Sequence, residues 1–106
     1  MQLNHLEEVF NTLQKMKNDL TANPSFDTTD EVANITSAMA EVLAENRPVV
    51  MVKNYGKWRA FPNKDSAVMF FKECAFGSEG SERDRYVTIL RNIVKEDVYI
   101  ATDDTM

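Results

Sequence analysis

Two prolines bracket the segment that most limits what this chain can fold into. Between Pro48 and Pro62 runs Val49-Val50-Met51-Val52-Lys53-Asn54-Tyr55-Gly56-Lys57-Trp58-Arg59-Ala60-Phe61. Proline disfavours helix in the residue before it, so Asn46-Arg47-Pro48 ends whatever helix comes first. Valine and aromatic residues on both sides of Asn54-Tyr55-Gly56 predict a β-hairpin, with strands over 49–53 and 57–61. A three-residue loop with Gly56 left-handed pairs Lys53 with Lys57, Val52 with Trp58 and Val50 with Ala60. That register gives an apolar face of Val50, Val52, Trp58 and Ala60, with Trp58 buried against the helices that follow. It leaves Lys53, Lys57 and Arg59 together on the other face and Tyr55 at the tip. A two-residue loop, pairing Lys53 with Trp58, is the less consistent alternative.

The flanking sequence is helical. Leu3, Leu6, Phe10, Leu13 and Leu20, widened by Val9 and Met16, predict an amphipathic helix over 2–22. Its stripe suits packing on a core, or a short seam joining two copies of the chain; it is too short for a coiled coil. A connector with Pro24 follows. Thr28 or Thr29 can cap a second helix, whose first turn suits Asp30 and Glu31 because the helix dipole is positive there. Val32, Ile35, Met39, Val42 and Leu43 line its inner face. After the hairpin, Asn63 is placed to cap a third helix over 64–76. Ala67, Phe70, Phe71 and Cys74 are its buried residues, and Gly77 is expected to end it in a left-handed conformation. Ser81, with Asp84 three residues on, is a variant of the capping box for a fourth helix striped by Tyr86, Val87, Leu90, Ile93 and Val94. Val98 to Ala101 reads as a last strand, and 102–106 as a frayed acidic tail. The order ααββααβ indicates an α+β fold with a small antiparallel sheet. One domain is expected over 1–106: an acidic helical region (1–46), a ββααβ module (47–101) and the tail.

The chain of 106 residues, 43% hydrophobic and 27% charged, suits a single globular domain. Apolar runs are too short for a membrane span, and the N-terminus lacks the basic-then-apolar pattern of a signal peptide. A single cysteine excludes an internal disulfide and fits a reducing, cytoplasmic location. The net charge of −5 conceals a segregation: −6 over residues 1–46, +5 over 47–95 and −4 over the last eleven. Such asymmetry can place a basic surface beside an acidic one.

The residues of catalysis are sparse. His5 lies on the polar side of the first helix, far in sequence from Cys74, which the pattern places on an apolar face as a structural thiol. One His and one Cys cannot build a zinc site. Neither phosphate-binding glycine motif is present, and Glu79 and Glu82 disfavour an anion at Gly77-Ser78-Glu79-Gly80. Glu82 and Asp84 read as solvated charge. No catalytic residue, metal or cofactor is expected, and the chain is read as a non-enzyme. The basic hairpin is the feature closest to a known binding device, since β-ribbons of this kind meet nucleic-acid backbones.

The hairpin Val52 to Phe61, an Ala-x-x-Phe-Phe helix (Ala67 to Phe71) and Gly77-Ser78-Glu79-Gly80-Ser81-Glu82-Arg83-Asp84-Arg85-Tyr86-Val87 together resemble small proteins carried on mobile genetic elements of Gram-positive bacteria. Some proteins of that group are anti-CRISPR proteins, inhibitors of Cas9. The resemblance covers residues 50–101 and implies a cytosolic, host-directed, non-catalytic protein. It leads to the expectation of an anti-defence protein that binds a protein partner, Cas9 or its guide-RNA complex, and blocks Cas9 or its loading with guide RNA. Grooves that hold guide RNA are strongly basic, so Asp27, Asp30, Glu31 and Glu41 are candidate contacts. The alternative is a nucleic-acid-binding accessory or regulatory protein that meets RNA or DNA through Lys53, Tyr55, Lys57, Arg59, Arg83, Arg85 and Arg91. A third is an oligomerising module, a homodimer through the first helix.

Overall fold

A computed structural model describes residues 2–22, 28–95 and 99–103. The order is α1 (Leu3–Thr21), α2 (Thr29–Glu45), β1 (Val50–Asn54), β2 (Lys57–Phe61), α3 (Lys64–Phe76), α4 (Gly80–Ile93) and β3 (Ile100–Thr102). This is an α+β fold with a small sheet. The sheet order is β2-β1-β3. β1 pairs antiparallel with β2 but parallel with β3, so the sheet is mixed and not antiparallel as expected. The chain must cross through α3 and α4 before its last strand returns beside β1, and that long connection permits the parallel pairing.

The hairpin register differs from the expected one. Lys53 pairs with Trp58, Val52 with Arg59, Met51 with Ala60 and Val50 with Phe61. The loop is therefore the two residues Tyr55 and Gly56, at φ 54° and 78°. Two positive φ values at the centre are what a type I′ turn requires, and that turn matches the twist of its strands. The expected register assumed one buried face. Here both faces are buried. Val50, Val52 and Phe61 pack with Ala67, Phe71, Ile89, Ile93 and Ala101, on the α3–α4 side. Met51, Trp58 and Ala60 pack with Leu6, Phe10, Ile35, Met39 and Leu43, on the α1–α2 side. Three consecutive residues, Val50, Met51 and Val52, are wholly buried. The fold is thus a three-layer stack, helices–sheet–helices, with Trp58 against α1 rather than α3 and α4.

β2 is an edge strand, and α1 covers its edge. Asn11, through Oδ1, accepts from the Trp58 N–H at 2.8 Å and donates from Nδ2 to the Trp58 carbonyl at 3.2 Å. Glu7 Oε1 accepts from the Ala60 N–H at 3.0 Å, and Gln14 Oε1 from the Trp58 indole at 3.1 Å. Positions 7, 11 and 14 fall on one helix face, so one turn after another of α1 supplies the partner that a further strand would have given. The Phe10 ring meets Trp58 edge-on, 5.3 Å between centroids. The apolar stripe of α1, considered above as a dimer seam, faces the chain's own core through Leu6 and Phe10.

Local details depart from expectation in four places. Asn63 caps α3, its side chain accepting from the Ser66 N–H, but Gly77 has φ −87° and is not left-handed. α4 begins at Gly80 behind Glu79, with no side-chain cap, so Ser81 is not its cap. Ile89, outside the expected stripe, is buried with Ile93, whereas Val94 is 66% exposed. The expected last strand at 98–101 lies at Ile100–Thr102; Val98 is outside the described residues, as are 104–106 of the expected tail.

Trp58→Ala removes a buried ring and should lower unfolding free energy by about 3–5 kcal/mol. Asn11→Ala leaves the Trp58 N–H and carbonyl of the edge without their partner and should cost about 1–3 kcal/mol. Urea unfolding followed by far-ultraviolet circular dichroism reads both.

Candidate functional site

The acidic candidates assemble on α2. Asp30, Glu31 and Glu41 are all exposed, and so is Glu45, which was not among the expected contacts. At 3.6 residues per turn the four carboxylates fall within an arc of about 100° and spread over about 22 Å of helix. The inner side of the same helix buries Ile35, Met39 and Leu43. Asp27 lies outside the described residues. Asp30 and Glu31 sit in the first turn, where the helix dipole favours a negative charge. Glu41 and Glu45 do not share that benefit. They approach the negative end of the dipole, four residues apart on one face, and no basic residue stands in the last turn. Both placements disfavour the helix.

The basic candidates do not form one face. Lys53 lies on the α1–α2 side of the sheet, 5.9 Å from the Trp58 ring centroid, while Lys57 and Arg59 belong to the α3–α4 side. The observed register separates them, because opposed residues share a face and neighbours alternate. The Arg59 guanidinium lies 4.4 Å from the Phe70 ring centroid. Arg85 pairs with Asp103 and stacks on Tyr55, 4.2 Å from its centroid. Lys57, Arg83 and Arg91 are exposed. The candidates thus divide between both sides of the sheet and α4, and three of them rest on aromatic rings of the chain itself.

Arg85, Tyr55 and Asp103 form a clasp at the hairpin tip. Asp103 Oδ2 also accepts from the Tyr55 N–H at 3.1 Å, and the Asp103 N–H donates to the Lys53 carbonyl at 3.2 Å. Burial alone would raise the Asp103 carboxyl, but the Tyr55 N–H and the Arg85 guanidinium outweigh it and hold the group below the usual carboxylate range. Tyr86, next along α4, borders the same cavity as Asn54, and burial pushes its phenol up. The segment Ser78 to Tyr86 therefore begins α4 and aims Arg85 and Tyr86 at the hairpin.

A cavity of about 470 Å³ runs beside β2. Glu7 and Asn11 border it from α1, Lys57 and Arg59 from the strand, and Cys74 and Tyr86 from α3 and α4. Cys74 is only partly buried, not the core thiol expected, and desolvation raises its pKa against the opposing pull of Arg59. His5 is at the start of α1, beside Glu8, and does not border this cavity. Among the described residues no group of three or more His, Cys, Asp or Glu is placed to hold a metal ion. No described helix is long and apolar enough to cross a membrane. The sequence reading missed Glu7, Asn11 and Gln14 as edge partners and Asp103 as the centre of the clasp. The first three carry a signal in hindsight, polar residues at helical spacing beside the apolar stripe; Asp103 carries none.

The lowered Asp103 pKa has a sign. Its stabilisation is complete above the unfolded value of about 4 and disappears as pH falls through the lower folded value. Asp103→Asn should therefore lower the urea midpoint at pH 7 and flatten its acid-side decline; an unchanged acid limb would remove Asp103 as a source of that decline. Comparison of the chain with protein-family models, with curated proteins and with solved structures finds no match in any of the three.

Proposed function

We propose that this protein is a non-enzymatic binding protein whose acidic α2 face meets a basic surface on a protein partner. One observation carries this reading. Glu41 and Glu45 are exposed together near the C-terminal end of α2, where helix dipole and mutual repulsion both act against them. Local stability does not account for carboxylates at those positions, whereas a cationic partner does. Opposite charge across an interface steers encounter and selects the partner more than it adds raw affinity. The scattered hairpin bases favour this face over the nucleic-acid alternative, because a salt-sensitive nucleic-acid binder makes roughly six to ten phosphate contacts along one continuous surface.

The resemblance drawn from residues 50–101 supplies the partner's identity in this proposal. The target is Cas9 or its guide-RNA complex, in the cytoplasm of a Gram-positive host, and the protein acts there as an anti-defence factor. Cas9 holds its heteroduplex in a positively charged channel, and an array of carboxylates about 22 Å long is suited to covering part of such a channel.

The test is binding to purified Cas9, with and without guide RNA, by the parent and two charge-reversed variants. Asp30→Lys with Glu31→Lys, Glu41→Lys and Glu45→Lys should weaken binding at least tenfold, about 1.4 kcal/mol. Lys57→Glu with Arg59→Glu should bind as the parent does. Circular dichroism first establishes that both variants are folded. Loss of binding in the hairpin variant alone would transfer the interface to the basic side. Failure of the parent to bind Cas9 in either form would remove Cas9 as the target.

A further inference from the structure

The opposite side of the molecule carries a second surface, independent of the α2 face. Among the described residues the three most exposed large apolar side chains are Phe76 at 85%, Met69 at 66% and Val94 at 66%; the first two are on α3 and Val94 directly follows α4. A groove of about 190 Å³ runs between these helices, lined by Lys72, Ala75, Phe76, Arg83, Val87 and Leu90. Its lining holds two cations and no acid. α3 and α4 are joined by the short link Gly77 to Glu79 and pack side by side, while their inner residues Ala67, Phe71, Ile89 and Ile93 face the sheet. Of the groove lining, Leu90 also packs against that core, whereas Phe76, like Met69 and Val94, stands outside it. A phenylalanine left in water beside a preformed apolar groove is the composition of a contact surface.

The chemistry of the groove selects its occupant. Lys72 and Arg83 with Arg91 fall short of the roughly six to ten phosphate contacts of a salt-sensitive nucleic-acid binder, and Phe76 is a single ring rather than a platform on which successive bases could stack. A second copy of the chain fits poorly. Besides its carboxylates, its acidic α2 exposes between Glu31 and Glu45 only small or polar side chains, Ala33, Asn34, Thr36, Ser37, Ala40 and Ala44, and these cannot fill the groove. Two α3–α4 faces brought together would oppose Lys72 and Arg83 with the same charges. A helix seated along two packed helices, by contrast, places apolar residues at i, i+4 and i+7 into the space between them. Carboxylates on its flanks would then stand beside Lys72 on one wall and Arg83 on the other.

We propose that the outer groove between α3 and α4 is a docking site for an acidic amphipathic helix of a protein partner, with one apolar side chain entered between Phe76 and Val87. The probe is a synthetic, fluorescently labelled helix of about five turns, with Leu at the anchor positions and Glu on both flanks. A second probe has Lys in place of every Glu. Fluorescence anisotropy against the full chain should show saturable binding of the Glu probe and binding of the Lys probe weaker by roughly tenfold or more. Phe76→Ser should weaken the Glu probe by roughly tenfold, because it removes the exposed anchor. Phe76 lies outside the core, so this variant should melt as the parent does. Lys72→Glu with Arg83→Glu should reverse the preference between probes. The α2 variant Glu41→Lys with Glu45→Lys should bind as the parent does, which separates this proposal from the function proposed above. The proposal is overturned if the Glu probe does not bind saturably, if both probes bind equally, or if Phe76→Ser leaves binding unchanged. A parent dimer in sedimentation that Phe76→Ser dissolves would overturn it as well, since a second copy would then occupy the groove.

Discussion

The grip of α1 on the edge of β2 is the contact on which the rest of the architecture depends. An isolated hairpin is marginal in water, and a sheet edge left open invites pairing with another chain. Asn11 satisfies both polar groups of the Trp58 backbone, Glu7 takes the next outward N–H, and Gln14 holds the indole. Once these bonds fix β2 against α1, the indole can stand only on the α1 side, beside Phe10. The register of β1 against β2 then places Val52 and Phe61 on the other side, which α3 and α4 must cover. One polar contact along one strand edge thus divides the apolar residues of the chain between two cores.

That division also explains the charge map. A sheet covered on both faces leaves only the outer sides of four helices, the loops and the strand edges to meet water. α2 carries four acids and no base, whereas residues 64–95, which hold α3 and α4, carry six bases and five acids. The positive excess of the central sequence lies mainly at Arg47, Lys53, Lys57 and Arg59, on and beside the hairpin. The central bases do not follow the same rule. Lys53 and Arg59 project from a sheet that is helix-covered on both sides, so they lie over Trp58 and Phe70 and keep their charged ends at the margin.

Most elements were legible in the sequence because each is set by local chemistry. Prolines end α2 and β2, Asn63 caps α3, and period-3.6 stripes mark the helices. The register was not legible from the turn alone. Asn54-Tyr55-Gly56 admits loops of two or three residues, and deciding between them requires knowing whether one sheet face or two are buried. The relevant sign was the unbroken run Val49 to Val52, which fits two-sided burial better than alternation. The parallel position of β3 was illegible for another reason: three residues of strand carry no record of which neighbour they pair with or in which direction. The candidate acids on α2 were legible as charge, but their placement against the dipole appears only once the helix boundary at Glu45 is known.

Tyr55 shows how the two ends of the fold are coupled. It holds φ 54° at the first turn position, where Asn or Gly would be accommodated with less strain. Its ring lies on Arg85 and its N–H is taken by Asp103, so the turn is fixed by α4 and by the end of β3 rather than by its own backbone preference. Asp103 follows β3, which pairs parallel with β1, and its backbone N–H continues the ladder onto Lys53. The hairpin is therefore secured from both directions, by α1 along the outer edge of β2 and by the clasp at its tip. With the edge of β2 and the turn both engaged, the surfaces that remain for partners are helix faces and the outer edge of the three-residue β3. Their composition is set by neither core, which is why the acids of α2 and the exposed Phe76 of α3 are the residues that require a functional explanation.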